Sequence, residues 1–161
     1  MSIGRGKEIT AIVSRGIFLL LASLIFFVDQ LTKQIAQNSL TLGRSHPVFP
    51  NIFHLTLIEN EGIAFGLFQD FGKVLFFVIT LSIIALIVLG FRSDPFRFKT
   101  QIGMGLVLGG ALGNWMDRIR AGAVIDFLDF RFWPVFNLAD VAISVGVGIF
   151  LLGFLGKEHV S

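Results

Sequence analysis

The stretch Gly105–Asp140, GLVLGGALGNWMDRIRAGAVIDFLDFRFWPVFNLAD, decides how the rest of the chain is read. An apolar, glycine-rich segment runs into Asn114, Asp117 and Arg118. A short aromatic connection carries Asp126, and a second apolar segment opens with Asn137 and Asp140. Two hydrophobic spans thus meet on one side of something, with carboxylates and amides at the junction. Composition says what that something is. Of 161 residues, 54% are hydrophobic and 15% charged, and the mean hydropathy is +0.81. Soluble domains carry roughly 25% charged residues. The chain reads as an integral membrane protein, a single domain over 1–161, since about 20 largely apolar residues per crossing leave no room for a second.

Working outward, four apolar segments at about 12–35, 71–91, 102–120 and 135–155 predict four transmembrane helices. Arg5, Lys7 and Arg15 before the first resemble the basic start of a signal peptide, but Asp29-Gln-Leu-Thr-Lys33 follows where small cleavage-site residues would stand, which predicts a retained span. Residues 37–70 are mixed. Pro47 and Pro50 mark an irregular stretch, 52–58 is a β-branched and aromatic run, and the turn chemistry of Asn60-Glu61-Gly62 ends it. A small sheet resting on the bilayer surface is expected there.

Arg5, Lys7, Arg15, Arg92, Arg97, Lys99 and Lys157 fall on one side of a four-crossing chain and make that side cytoplasmic. Lys33, Arg44, Lys73, Arg118, Arg120 and Arg131 fall on the other, mostly beside acids or at the polar junction. Asp29, Asn60, Asn114, Asp117, Arg118, Asp126, Asn137 and Asp140 then converge near the outer surface. Ionisable groups at a helix centre cost about 2.5–3.5 kcal/mol on insertion scales and usually face a bundle interior or a water-filled cavity. A polar pocket follows.

Gly105, Gly109 and Gly113 recur at four-residue spacing, a stripe for close helix packing. Gly110, Asn114 and Asp117 share an adjacent face. Asn137, Asp140 and Ser144 share a face of the last helix. Asn137 could simply cap that helix while Asp140 forms an ion pair, although an apolar helix needing only a cap would not need Asp140 a turn deeper. Asp29 and Lys33, at i and i+4, are spaced to pair. Arg118 remains available for a carboxylate or a lipid phosphate, and Asp129 and Arg131 read as ordinary interfacial charges.

Cysteine is absent, so thiolate and disulfide chemistry are excluded. His46, His54 and His159 lack metal-ligand spacing, and no serine has a base in the pattern. The small net charge of +2 gives no sign of a nucleic-acid partner. What remains is acids and amides. Two carboxylates forced together share a proton, so one can act as base on a water while the other protonates the leaving group. From the residues alone, Asp117 and Asp126 compete as the partner of Asp140.

Five blocks, Asp29-Gln-Leu-Thr-Lys33, Asn60-Glu-Gly62-Ile-Ala64-Phe65, Gly109-Gly110-Ala-Leu-Gly113-Asn114-Trp-Met-Asp117-Arg118, Val124-Ile-Asp126-Phe127 and Phe136-Asn137-Leu-Ala139-Asp140, occur in order. Together they resemble the signature blocks of lipoprotein signal peptidase, the type II signal peptidase of bacteria. The resemblance implies a four-helix aspartic peptidase of the inner membrane, with cytoplasmic termini and a site near the extracytoplasmic face, which carries a β-cradle and a short helix between the first two spans. It places the dyad at Asp126 and Asp140. It surrounds the dyad with Asp29, Lys33, Asn60, Gly62, Asn114, Asp117, Arg118, Asn137 and Ala139, with neither metal nor organic cofactor. The implied substrate is a diacylglyceryl-modified prolipoprotein, cut just before its lipidated cysteine; membrane lipid and globomycin-type inhibitors are the other implied partners, and a monomer is expected. Two rivals predict different features. A proton-coupled transporter needs polar groups through the whole bilayer, and a metal-dependent head-group transferase needs a dense run of aspartates. A purely structural role leaves the clustered acids and amides without a purpose.

Overall fold

The computed structural model describes residues 2–61, 71–92 and 98–155. Its elements in order are α1 (Ser2–Ser39), β1 (Ser45–Phe49), β2 (Phe53–Asn60), α2 (Phe71–Arg92), α3 (Phe98–Ala121), β3 (Val124–Asp129) and α4 (Leu138–Leu155). Helix α3 is central and packs on α1, α2 and α4. The glycine stripe explains how. A Cβ on Gly109 would stand 2.6 Å from the Ala22 carbonyl oxygen of α1, and one on Gly110 2.5 Å from that of Ala139 on α4. Glycines on α3 therefore admit a neighbour's backbone on two sides, and dispersion contact replaces the hydrophobic drive that lipid cannot supply. Phe18, Ala22, Ile83, Met104 and Leu108 fill the space among α1, α2 and α3.

The distribution of polarity is inverted. Asp29 and Lys33 are 0% and 2% exposed, whereas Leu20, Phe27, Leu81 and Leu152 each expose about two-thirds of their surface. Apolar faces of this extent outside and charges inside fit a lipid surround. Among the described residues one helix, Glu8–Ser39, is both long and apolar enough to cross a membrane, and Leu138–Leu152 is a shorter apolar helix.

The sheet is antiparallel with order β1-β2-β3. Its inner face, with Leu57, Ile125 and Phe127, covers Ala36 at the end of α1. Four expectations are corrected. Pro47 lies within a strand; β1 is an edge strand with a register shift between Pro47 and Phe49, where a missing N–H is tolerated. Asn60 is the last residue of β2, not part of the turn after it. The connection carrying Asp126 is strand β3, held through the pairs Ile58 with Asp126 and His54 with Asp129. The last helix starts at Leu138 rather than at 135, because Phe136 exchanges hydrogen bonds with Leu128 and stays on the sheet. Gly62, the block through Phe65 and any short helix over 62–70 lie outside the described residues.

Candidate active site

The site lies where α1, α3, β2, β3 and the start of α4 meet. Asn137 is the last residue before α4. Its side-chain oxygen accepts the Asp140 N–H at 3.0 Å, and the Asp140 carboxylate accepts the Asn137 N–H at 3.2 Å. This is a reciprocal cap, with the acidic residue at N3 returning the bond to the N-cap. The capping reading is therefore correct, and the residues still have groups to spare. The Asn137 amide nitrogen donates to Asp126 at 2.7 Å, to Asn114 at 3.0 Å and to the Ile125 carbonyl at 3.3 Å. Asn60 donates to the other Asp126 oxygen at 2.9 Å, and Asn114 donates to Asp140 at 2.8 Å. Asp126 and Asp140 are thus tied together through Asn137 and flanked by amides.

Beneath them lies a buried ion network. The Lys33 ammonium reaches Asp29 at 2.8 Å, Asp117 at 2.7 Å and the Asn114 amide oxygen at 2.8 Å. Three acceptors match its three N–H donors. Asp29 also accepts the Ala139 N–H at 2.9 Å, and its carboxylate fills the space a Cβ on Gly113 would need. Asp117 accepts Gln30 at 2.9 Å and the Ile125 N–H at 3.3 Å. Asp117 therefore belongs to α1 and Lys33, and it is Asp126 that stands beside Asp140. Arg118 donates to the Asn114 backbone carbonyl at 3.0 Å.

Asp126 is 2% exposed. Burial pushes its carboxyl up to about 6 against the hydrogen bonds from Asn60 and Asn137, and the neighbouring Asp140 carboxylate adds to the push. A cavity of about 450 Å³ opens beside Asp140, lined by Phe130, Trp133, Phe136, Val141, Ser144 and Val145 among others. Asp140 is the ionisable group on an otherwise largely apolar wall.

Three features escape the sequence reading. Gln30 joins Asp117, the Gly113 carbonyl and Arg120; its position inside the polar run 29–33 of an apolar helix was the available signal. Asp129 is buried rather than interfacial. Burial raises its carboxyl, but hydrogen bonds from Thr56 and Arg131 outweigh this and hold it below the usual range. Ser45 and His54 meet at 2.7 Å on the sheet, yet Asp129 turns to Thr56, so among the described residues no carboxylate orients that histidine. Among the described residues no group of three His, Cys, Asp or Glu side chains is placed to hold a metal.

A family model described as signal peptidase (SPase) II matches residues 21–156. A lipoprotein signal peptidase of Pelotomaculum thermopropionicum is 49% identical over 146 residues, covering 90% of this chain and 95% of that one. Those of Moorella thermoacetica and a Nostoc species are 46% and 45% identical, covering 81% and 90% of this chain and 87% and 93% of theirs. Two solved structures described as bacterial membrane enzymes superpose with TM-scores of 0.82 and 0.79 at 29% and 28% identity. They cover 89% and 91% of this chain, and it covers 95% and 94% of them.

Proposed function

The chain belongs to the signal peptidase II family, a family of bacterial membrane peptidases that remove signal peptides from prolipoproteins, and from that premise we propose that it works by an aspartic mechanism with Asp126 and Asp140 as the dyad. The observation that carries this reading is the double use of Asn137. Its amide holds Asp126 and its backbone N–H holds Asp140, so one residue fixes both carboxylates.

In the proposed reaction Asp140, which accepts N–H donors from Asn114 and Asn137, is the base. It takes a proton from a water, whose oxygen attacks the scissile carbonyl. Asp126, whose carboxyl holds a proton up to about pH 6, donates it to the carbonyl oxygen and takes it back as the tetrahedral intermediate collapses, while Asp140 passes the proton it took from the water to the leaving amine. Asn60 and Asn114 keep the two carboxyls from rotating, and the Lys33 network holds Asn114.

The same reading gives the chain four crossings, with both termini cytoplasmic and the dyad at the outer end. Basic residues at the opposite end and the apolar outward faces of the helices support it. The substrate would be a diacylglyceryl-modified prolipoprotein confined to the same leaflet and cut before its lipidated cysteine. Globomycin-type peptides would compete for the dyad, and a single chain would suffice for activity.

The test is cleavage of a diacylglyceryl-modified lipobox peptide by purified protein in detergent with EDTA. Wild type should cleave; Asp126→Asn and Asp140→Asn should fall by about a hundred- to ten-thousandfold, the loss expected on removing a catalytic acid or base. Activity abolished by EDTA, or retained by either variant, would defeat the mechanism.

A further inference from the structure

A second cavity, of about 430 Å³, lies between α1, the end of α3 and β3, and neither dyad carboxylate lines it. Its wall on α1 changes character along the helix. Phe27 and Leu31, 67% and 56% exposed, form one end, and the amides of Gln34 and Gln37 form the other. Residues 27, 31 and 34 share a face, and the span from 27 to 34 is about 10 Å along the axis. Arg120 stands at the polar end and donates to the Gln30 amide oxygen at 3.0 Å. That partner is neutral, so the guanidinium has no carboxylate among the described residues within ion-pair distance. Asp117 also reaches this wall, where it pairs at 2.7 Å with the Lys33 ammonium that it shares with Asp29.

We propose that this cavity holds the phosphate of one membrane phospholipid, with an acyl chain along Phe27 and Leu31. A guanidinium fork and side-chain amides supply the donors that a phosphate diester accepts, and the fork suits planar oxygen pairs better than an ammonium does. The apolar surface begins one to two helical turns deeper, where the chains of such a lipid begin. This site rests on α1 crossing a bilayer and does not depend on the peptidase mechanism.

The experiment is native mass spectrometry of the full-length protein in detergent, titrated with phosphatidylglycerol, with diacylglycerol of the same chains and with inorganic phosphate, for wild type, Arg120→Gln and Arg44→Gln. Phosphatidylglycerol should bind one per chain, at least about tenfold tighter than diacylglycerol, the equivalent of one charge-assisted hydrogen bond. Inorganic phosphate should not displace it. Arg120→Gln should lose the preference, and Arg44→Gln, altered at an exposed cation on the sheet side, should keep it. Equal binding of diacylglycerol, displacement by free phosphate, or an unchanged Arg120→Gln would each overturn the proposal. If Arg120→Gln fails to fold, the wild-type comparison of the two lipids decides the matter.

Discussion

Removing the Lys33 ammonium should be the most damaging single change away from the dyad. In Lys33→Met the chain keeps its length and apolar stem but loses the cation that contacts Asp29 at 2.8 Å and Asp117 at 2.7 Å. Those carboxylates are 0% and 6% exposed, so water cannot take over. Breaking a buried pair by removing one partner costs about 3–5 kcal/mol, because the remaining charge is left uncompensated. At about 2–4 °C per kcal/mol for a chain of this size, the expected drop in Tm is about 6–20 °C. The Asn114 amide also loses one of the two donors on its oxygen, keeping that from Asn137, and with it one restraint on the nitrogen that faces Asp140.

Thermal unfolding in detergent reads the first effect, and single-turnover cleavage at a temperature where both proteins are folded reads the second. Adding Asp117→Asn should recover part of the lost Tm, since residues sharing one ion network are coupled by about 0.5–3 kcal/mol. Recovery of activity should be smaller, as Asn114 still lacks the Lys33 donor. A Tm within about 2 °C of wild type, less than the shift for 1 kcal/mol, would refute the claim that this lysine compensates buried charge.

Other outcomes follow from the same geometry. Asn137→Ser should keep a cap within about 0.5–2 kcal/mol of wild-type stability yet lose cleavage, because serine cannot also hold Asp126; unfolding and cleavage together separate the two roles. Gly109→Ala places a Cβ 2.6 Å from the Ala22 carbonyl oxygen and 2.8 Å from the Ile25 Cβ, and should cost about 1–3 kcal/mol by overpacking, measured as Tm. The Asp126 carboxyl is raised in the folded protein, so it contributes stability below its unfolded value near 3.8 that is lost as pH rises through about 6. Relative to Asp126→Asn, wild-type Tm should therefore fall between about pH 4 and pH 6, as followed by thermal scans in buffered detergent. Thr56→Val strips a donor from buried Asp129 and should cost about 1–3 kcal/mol in the same assay.

The helices were legible because one physical signal, length of apolar run, sets them, and the glycine stripe was legible because four-residue spacing has one common meaning in a span. Strand β3 was not. Val124-Ile125-Asp126-Phe127 has strand composition, but a third strand some sixty residues from its partner β2 is fixed by pairing that a local reading cannot reach. The ambiguity between Asp117 and Asp126 had the same origin. Helical spacing put Asp117 near Asn114 correctly, and both reach Lys33, but only the return of β3 across Asn60 brings Asp126 to Asp140. Gln30 and Asp129 were passed over because their importance lies in partners distant in sequence, Asp117 and Thr56.

Charge arithmetic gives a physical reason for the proposed dyad to share a proton. Six ionisable groups converge here: the carboxylates Asp29, Asp117, Asp126 and Asp140 and the cations Lys33 and Arg118. Lys33 is committed to Asp29 and Asp117, and Arg118 donates to the Asn114 backbone carbonyl. Among the described residues neither cation lies within ion-pair distance of Asp126 or Asp140, which are held by neutral amides from Asn60, Asn114 and Asn137. Burial pushes the Asp126 carboxyl up to about 6 against the hydrogen bonds from Asn60 and Asn137, with the neighbouring Asp140 carboxylate adding to the push, so a proton is the compensation that Asp126 takes. Exchanging one of those amides for a cation, as in Asn60→Lys, would compensate the charge directly. It should bring the Asp126 carboxyl back down and slow cleavage near neutral pH, with the pH profile moving acid; a profile that stays in place would mean that the protonation of Asp126 does not limit the reaction.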